Sequence, residues 1–71
     1  MNSLREMRET SGLKVQKIAD ELSISRKTYY NKENGVSSFK VEDLVVLSKL
    51  FDVEIMDLVQ VIRRNKNARI C

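Results

Sequence analysis

Residues 13–35 read LKVQKIADELSISRKTYYNKENG, and this stretch predicts two short helices joined by a tight turn. Apolar residues in 15–22 recur at helical spacing, which indicates a single buried face. These residues are Val15, Ile18, Ala19 and Leu22. After the turn, Ser25 is a suitable N-cap for a helix over 26–33, because its hydroxyl can accept a free backbone N–H. Two helices of this length and spacing form the helix-turn-helix pattern.

The predicted helix over 26–33 has a thin apolar face. Tyr29 is its one large inward candidate, and we expect its ring in the core. Ala19 supplies the small residue that the crossing of the two helices requires, and Ile24 is expected to be buried just after the turn. A helix with so narrow a stripe gains little from burial. We therefore expect something other than packing to select its exposed residues.

Three further helices are predicted around this pair. The first begins at the N-cap Ser3 and stops at Gly12, which can adopt a left-handed backbone. The fourth covers 41–51 and is nearly apolar all round, so we expect it at the centre of the core. The fifth covers 54–62, after a turn at Asp52. Its apolar stripe consists of Ile55, Leu58, Val59 and Ile62.

Helical spacing throughout predicts an all-α fold, a compact bundle of five helices with no sheet. We place a helix-turn-helix domain over 1–62 and interpret 63–71 as a basic, flexible tail. A chain of 71 residues forms one small domain with a modest core.

The composition leaves little for enzyme chemistry. The sequence has no His, and its single Cys, Cys71, has no imidazole to activate it. No glycine-rich phosphate loop is present, so no cofactor, no metal site and no enzymatic activity are predicted. No apolar run approaches the roughly 18 residues that span a membrane, and the opening MNSLREMRE does not resemble a secretory leader. We expect a protein of the reducing cytoplasm with no membrane partner.

The net charge of +3 conceals a pattern along the chain. Residues 1–13 are balanced, whereas residues 14–40 carry six Lys and Arg against three Asp and Glu. Residues 41–59 carry one Lys against five acids, and residues 60–71 carry four Lys and Arg and no acid. A basic middle that coincides with the predicted helix pair favours nucleic acid as a partner, with an ordinary mixed surface as the alternative.

The stretch over 13–35, together with Phe39 and the later phrase LFDVEIMDL, resembles the Xre or lambda-repressor-like helix-turn-helix family. The run SRKTYYNKENG is especially similar to small repressor and Cro-like proteins of phages and prophages of Gram-positive bacteria. The resemblance covers residues 4–59. It implies a five-helix lambda-repressor-like domain that binds double-stranded DNA sequence-specifically and regulates transcription in the bacterial cytosol or nucleoid.

The resemblance also implies which residues contact DNA. The start of the third helix reads bases, which in this sequence falls on Arg26, Lys27, Tyr30 and Asn31. Arginine and lysine can donate to guanine, and asparagine can pair with adenine. Phosphate contacts fall around this helix and at the neighbouring helix starts, on Lys14, Ser25, Thr28, Asn34 and Lys40. Glu33 is expected to orient its neighbours, and Tyr30 has packing as an alternative role.

The chain departs from the family pattern at three places. Lys14-Val15 replaces the usual Thr-Gln, which removes a phosphate clamp and adds a cation. Ser23 replaces the usual turn glycine, so we expect a strained backbone there. Lys32 occupies a position that is usually apolar. The first and third departures concern the phosphate contacts rather than the fold.

One short module offers few base contacts, so we expect a homodimer on paired half-sites, with the fifth helix as its interface. A second hypothesis is a protein-interaction module of the same fold, such as an antitoxin or antirepressor, which the acidic segment 41–59 favours. The salt dependence of binding to duplex DNA separates the two hypotheses.

Overall fold

The computed structural model describes residues 3–65 and 68–70, and within them the chain folds into five helices with no strand longer than a single bridge. The helices are α1 (Leu4–Ser11), α2 (Val15–Leu22), α3 (Arg26–Glu33), α4 (Val41–Leu50) and α5 (Ile55–Asn65). The predicted all-α fold is confirmed, and α2 and α3 have the predicted bounds. One isolated parallel β-bridge joins Phe39 to Ile70.

The core lies where α2 packs against α3 and α4, and where α5 packs against α1 and α4. Its fully buried large side chains are Ile18, Tyr29, Phe39, Leu44, Leu47, Leu58 and Ile62. Ala19 is also fully buried, as expected of the small residue in a helix pair that packs closely. Ile24 is only partly buried and packs against the edge of this core.

The ends of α1 follow the sequence prediction. The Ser3 hydroxyl accepts the backbone N–H of Glu6 at 3.1 Å, which satisfies one free donor of the first turn. Gly12 ends the helix with φ +75°, a left-handed backbone that favours glycine. Its N–H donates to the carbonyl oxygen of Glu9 at 3.2 Å.

The turn between α2 and α3 depends on a left-handed residue that is not glycine. Ser23 has φ 58° and ψ 41°, and its backbone N–H donates to the carbonyl oxygen of Asp20 at 3.1 Å. The next N–H, of Ile24, donates to the carbonyl oxygen of Ala19 at 3.0 Å. These two bonds close the end of α2 and set the direction in which the chain enters α3. The left-handed backbone of Ser23 therefore supports the prediction that this residue is strained.

The prediction that α4 is central and apolar all round holds only in part. The helix packs against both α2 and α5, and Leu44 and Leu47 are buried, but Val41 is 63% exposed and Val45 is 39% exposed. The core therefore does not cover every face of this helix. The helix also ends at Leu50, and Phe51 is its buried C-cap.

Residue 63 onward was predicted to be a flexible tail, and the described part of that segment is helical or packed against the fold. Helix α5 continues to Asn65, beyond the predicted end at Ile62. Ala68 is only 5% exposed, Ile70 packs against the core, and the Arg69 carbonyl oxygen accepts the Phe39 N–H at 2.7 Å. Burial of these apolar side chains, together with that backbone bond, holds the segment against the loop before α4. Residues 66, 67 and 71, on which the rest of the tail prediction falls, lie outside the described residues.

None of the described helices combines the length and apolar character that a membrane crossing requires.

Replacing Ser23 by glycine is expected to stabilise the fold. A left-handed backbone costs an L-residue about 1–2 kcal/mol, and the extra chain freedom of glycine in the unfolded state offsets about half of that gain. We therefore expect Ser23→Gly to raise the free energy of unfolding by about 0.5–1 kcal/mol, measured by urea denaturation. The control Ser25→Gly alters an extended N-cap with φ −77° and should lower stability slightly. Equal changes in both variants would show that Ser23 is not strained.

Candidate nucleic-acid interface

Helix α3 presents four rows of side chains, because residues four apart lie on the same face of a helix. The rows pair Arg26 with Tyr30, Lys27 with Asn31, Thr28 with Lys32, and Tyr29 with Glu33. The last row points inward, since Tyr29 is fully buried and Glu33 is only 6% exposed. The row of Lys27 and Asn31 lies on the far side of the helix from the core, and the other two rows form its flanks.

The inward row ends in a buried charge that is paired across the fold. Arg8 of α1 makes a two-point contact with the Glu33 carboxylate, with Nε to Oε2 at 2.8 Å and Nη2 to Oε1 at 3.1 Å. The Tyr29 hydroxyl donates to the same Oε2 at 2.9 Å. The three side chains bind α3 to α1, and we call them the anchoring cluster. Glu33 orients Tyr29 and Arg8 from the inner side of the helix, as predicted.

The protonation states of the anchoring cluster reinforce its geometry. Burial raises the pKa of Tyr29 well above its usual value, and the nearby Glu33 carboxylate raises it further. The hydrogen bond to Glu33 raises the pKa of Arg8, against the lowering effect of desolvation. Both shifts favour the neutral phenol and the charged guanidinium, which are the forms that donate to the Glu33 carboxylate.

The flank that faces α1 carries Tyr30, which was predicted to read bases with packing as the alternative. Its side chain is 43% exposed, and its ring lies edge-on to Tyr29 with 6.2 Å between centroids. The Arg8 guanidinium carbon lies 5.9 Å from the Tyr30 ring centroid, within reach of a cation–π contact. These contacts show the packing role, and a base contact by Tyr30 stays a prediction.

The opposite flank explains why Lys32 occupies a position that is usually apolar. Its side chain is 13% exposed, and its ammonium nitrogen lies 5.8 Å from the centroid of the Phe39 ring. The same nitrogen donates to the Ser38 carbonyl oxygen at 2.9 Å and lies 3.4 Å from an Asp43 carboxylate oxygen. The lysine stem thus covers Phe39 while the charge reaches a polar partner at its edge. Lys32 belongs to the structure of the loop before α4 and does not enlarge the exposed basic surface.

The outward side of α3 carries positive charge and no acid of the helix itself. Arg26 and Lys27 are exposed, and neither forms an ion pair with any residue that the structure describes. Glu33 is the only carboxylate in the helix, and it is buried against Arg8. Asn31 is partly exposed, and its side-chain amide forms no hydrogen bond within the described part of the chain. This surface offers donors and an acceptor that the protein itself does not use.

The predicted phosphate contacts surround this surface. Ser25 caps α3, because its hydroxyl oxygen accepts the Thr28 N–H at 3.1 Å. The same hydroxyl donates to Thr28 Oγ1 at 2.9 Å, which leaves the Thr28 hydroxyl free to donate outward. Lys14 and Lys40 are exposed N-cap residues of α2 and α4, and exposed Asn34 ends α3. Free backbone N–H groups at such helix starts attract anions.

Arg8 is a partner of the predicted interface that the sequence does not reveal. Arg8 and Glu33 are 25 residues apart, and no local pattern connects them. Only Glu33 carried a sequence signal that it needs a partner. Glu33 is the one acid in α3 and lies four residues after Tyr29, on the inward row, where an unpaired carboxylate would be costly.

The geometry of α2 and α3 and the sequence comparisons indicate the same class of protein, a helix-turn-helix domain. A family profile described as a helix-turn-helix domain matches residues 2–64, and the chain belongs to this family. It is similar to a protein of Methanothermobacter thermautotrophicus, with 36% identity over 53 residues, and to one of Thermococcus kodakarensis, with 31% identity over 65 residues. Both carry the name "putative HTH-type transcriptional regulatory protein".

These two matches cover 75% and 92% of this chain. The chain in turn spans 17% and 20% of the length of the two relatives. No solved structure matches the chain significantly.

Removing the cation of the anchoring cluster is expected to cost more than removing the whole ion pair. Arg8→Ala leaves the Glu33 carboxylate buried without a charged partner, so the free energy of unfolding should fall by about 3 kcal/mol. Adding Glu33→Gln should restore part of that loss, because a neutral amide still accepts from Tyr29. Urea denaturation of both variants measures the difference.

The matched control is Arg5→Ala, which breaks the exposed ion pair with Glu9, where the nitrogen–oxygen distance is 3.6 Å. An exposed pair of this kind contributes about 0.3–0.5 kcal/mol. If the double variant were no more stable than Arg8→Ala, the loss in Arg8→Ala would not come from the unpaired charge of Glu33.

Proposed function

We propose that this chain binds double-stranded DNA sequence-specifically and regulates transcription, with α3 in the major groove. The observation that carries the proposal is the outward surface of α3. It is cationic, carries no acid of α3 itself, and is held in place by the anchoring cluster on the inner side of the helix. The family membership and the names of the two relatives support the same activity.

The side chains of this surface match the edges of the bases. Arg26 and Lys27 lie in the first turn of α3 and carry the donors that guanine O6 and N7 accept. Asn31 lies one turn after Lys27 on the same row, and its amide can pair with adenine N6 and N7. Tyr30 lies at the edge of this surface, where its exposed rim can approach the groove while its ring packs against Arg8.

The phosphate contacts of the proposal lie around the base-reading residues. Lys14 and Lys40 place charges at the starts of α2 and α4. Ser25, Thr28 and Asn34 add neutral donors at the two ends of α3. Such contacts set register and affinity and carry no direct sequence information.

The finer assignment is a phage or prophage repressor or Cro-like regulator that acts in the bacterial cytosol or nucleoid. This assignment is supported by the similarity of residues 25–35 to phage and prophage repressor and Cro-like proteins. The names of the two relatives do not mention a phage or a repressor.

The alternative function is a protein-interaction module of the same fold, such as an antitoxin or antirepressor. The observation in its favour is that α4, α5 and the turn between them expose several acidic and apolar side chains. The exposed acids of this region are Glu42, Asp52, Glu54 and Asp57, and its exposed apolar side chains are Val41, Val45 and Met56.

Alanine substitutions should separate base reading from phosphate binding. Arg26→Ala, Lys27→Ala or Asn31→Ala should each cost about 1–3 kcal/mol on the preferred duplex and relax the preference at one base position. Lys14→Ala or Lys40→Ala should weaken preferred and random duplexes alike and lower the salt slope by about one. Selection of bound sites from random duplexes supplies the preferred sequence, and fluorescence anisotropy measures each affinity.

The control is Lys49→Ala, which removes an exposed charge at the far end of α4. It should change neither the affinity for DNA nor the salt slope by a comparable amount. Negligible losses in all five variants would refute this surface as the DNA interface. The protein-interaction function would then be the better account.

We further propose that the chain binds DNA as a homodimer, because one short helix contacts few bases. Leu58 and Ile62 of the apolar stripe are buried in the chain's own core, whereas Ile55 and Val59 are only partly buried. Met56, on the other side of α5, is 61% exposed and is the most accessible apolar side chain of this helix for an interface.

A duplex with two half-sites about one helical turn apart should bind far more tightly than a duplex with one. Met56→Lys should reduce that advantage and leave binding to the single half-site unchanged. Anisotropy on both duplexes, with sedimentation of the complexes, measures the effect. An unchanged advantage in Met56→Lys would remove α5 from the interface, and tight monomer binding to one half-site would contradict the dimer.

A further inference from the structure

The segment after α5 returns to the loop that precedes Lys40, one of the proposed phosphate contacts. Residues 68–70 lie beside the loop before α4, where Phe39 and Ile70 form a parallel β-bridge. The Phe39 N–H donates to the Arg69 carbonyl oxygen at 2.7 Å, so the backbone of Arg69 is fixed to this loop. Ala68 is 5% exposed and Ile70 is partly buried against the core, which holds the segment on both sides of Arg69.

The alternation of extended chains then determines which side chains face outward. Successive side chains point to opposite sides of an extended backbone, and paired residues share a side. Phe39 is fully buried, so its neighbour Lys40 faces the outside, where it is exposed. Ala68 and Ile70 face the core, so Arg69 between them is exposed as well. In the parallel register set by Phe39 and Ile70, Arg69 lies opposite Ser38, and Lys40 lies two residues further along. Arg69 and Lys40 therefore face outward on one edge, with their backbones diagonally about 8 Å apart.

We infer that Arg69 is a DNA phosphate contact, and that residues 68–70 extend the phosphate-binding edge that begins at Lys40. The inference rests on the proposed DNA-binding function and adds a contact outside the helix-turn-helix. A guanidinium suits this role, because its planar donors can bind a phosphate at two points.

The charge at Arg69 is not neutralised within the described residues. Arg69 forms no ion pair there, and the two acids of the nearby first turn of α4 do not reach it. The Asp43 carboxylate is engaged by the Lys40 N–H at 2.9 Å and by the Lys32 ammonium at 3.4 Å. Glu42 is exposed and makes no contact with Arg69. The edge therefore presents Lys40 and Arg69 to an external anion.

The first experiment compares Arg69→Ala with Lys49→Ala. Both remove one exposed cation, but Lys49 lies nine residues along α4 from Lys40, about 14 Å away. Anisotropy titrations at several salt concentrations should show a salt slope lower by about one for Arg69→Ala, and affinity roughly 5- to 10-fold weaker near 0.1 M salt. The loss should be the same on preferred and random duplexes, because a phosphate contact carries no base information. Lys49→Ala should match the wild type.

A second experiment tests whether the β-bridge positions Arg69. Ile70→Ser removes the apolar anchor without adding charge, so the segment should no longer hold Arg69 at the edge. In that background, Arg69→Ala should change affinity by less than in the wild type. Thermal melts of all variants confirm that the helical domain stays folded, since Arg69 contributes only its backbone to the loop.

The outcomes separate the two proposals. If the wild type shows no salt-dependent binding to duplex DNA, the proposed function fails. If the wild type binds but Arg69→Ala behaves like Lys49→Ala, only the role of Arg69 is overturned. Equal effects of Arg69→Ala with and without Ile70→Ser would show that the bridge does not place this side chain.

Discussion

The ion pair between Arg8 and Glu33 is the contact on which the position of α3 depends. This helix buries one large apolar side chain, Tyr29, and such a narrow stripe would hold a helix only weakly. The anchoring cluster adds a two-point ion pair and a phenol hydrogen bond on the same inner row. No buried side-chain nitrogen or oxygen in the described part of the chain lacks a partner, so this polar cluster is fully satisfied.

The same contact also shapes the outer surface of α3. By placing the only acid of the helix on the inside, the fold leaves the outer faces of α3 with cationic and neutral polar side chains. A surface of this kind attracts a phosphate backbone and carries donors for base edges. Structural stability and the proposed activity therefore depend on one arrangement, because the charge that would repel DNA is the charge that fixes the helix.

The loop before α4 is organised by a second set of contacts. Lys32 covers the Phe39 ring from one side and reaches the Ser38 carbonyl and Asp43. The carbonyl oxygen of Arg69 accepts the Phe39 N–H from the other side. These contacts determine where Lys40 and the start of α4 lie relative to α3. A small domain has a thin margin of stability. In this domain, charged side chains with long apolar stems help to cover the apolar core.

Much of the architecture followed from local signals in the sequence. The spacing of Val15, Ile18, Ala19 and Leu22 defined α2, and the N-cap Ser25 defined the start of α3, because both signals act within one or two helical turns. The strain at Ser23 was expected from the family resemblance, which places a glycine at this turn, and not from a local signal. Tyr29 was predicted to lie in the core as the one large apolar-bodied residue of its helix, and the structure confirms it.

What only the tertiary structure decided concerns partners that are distant along the chain. Arg8 lies 25 residues from Glu33, and the local sequence around either residue does not predict their contact. The exposure of Val41 and Val45 depended on which face of α4 met the rest of the bundle, which helical spacing alone does not specify. Residues 68–70 were expected to be a free basic tail, because three residues without helical spacing carry no signal for a β-bridge. Their place beside Phe39 exists only once the folded core has brought that loop within reach of them, since a single backbone pairing is too weak to form alone.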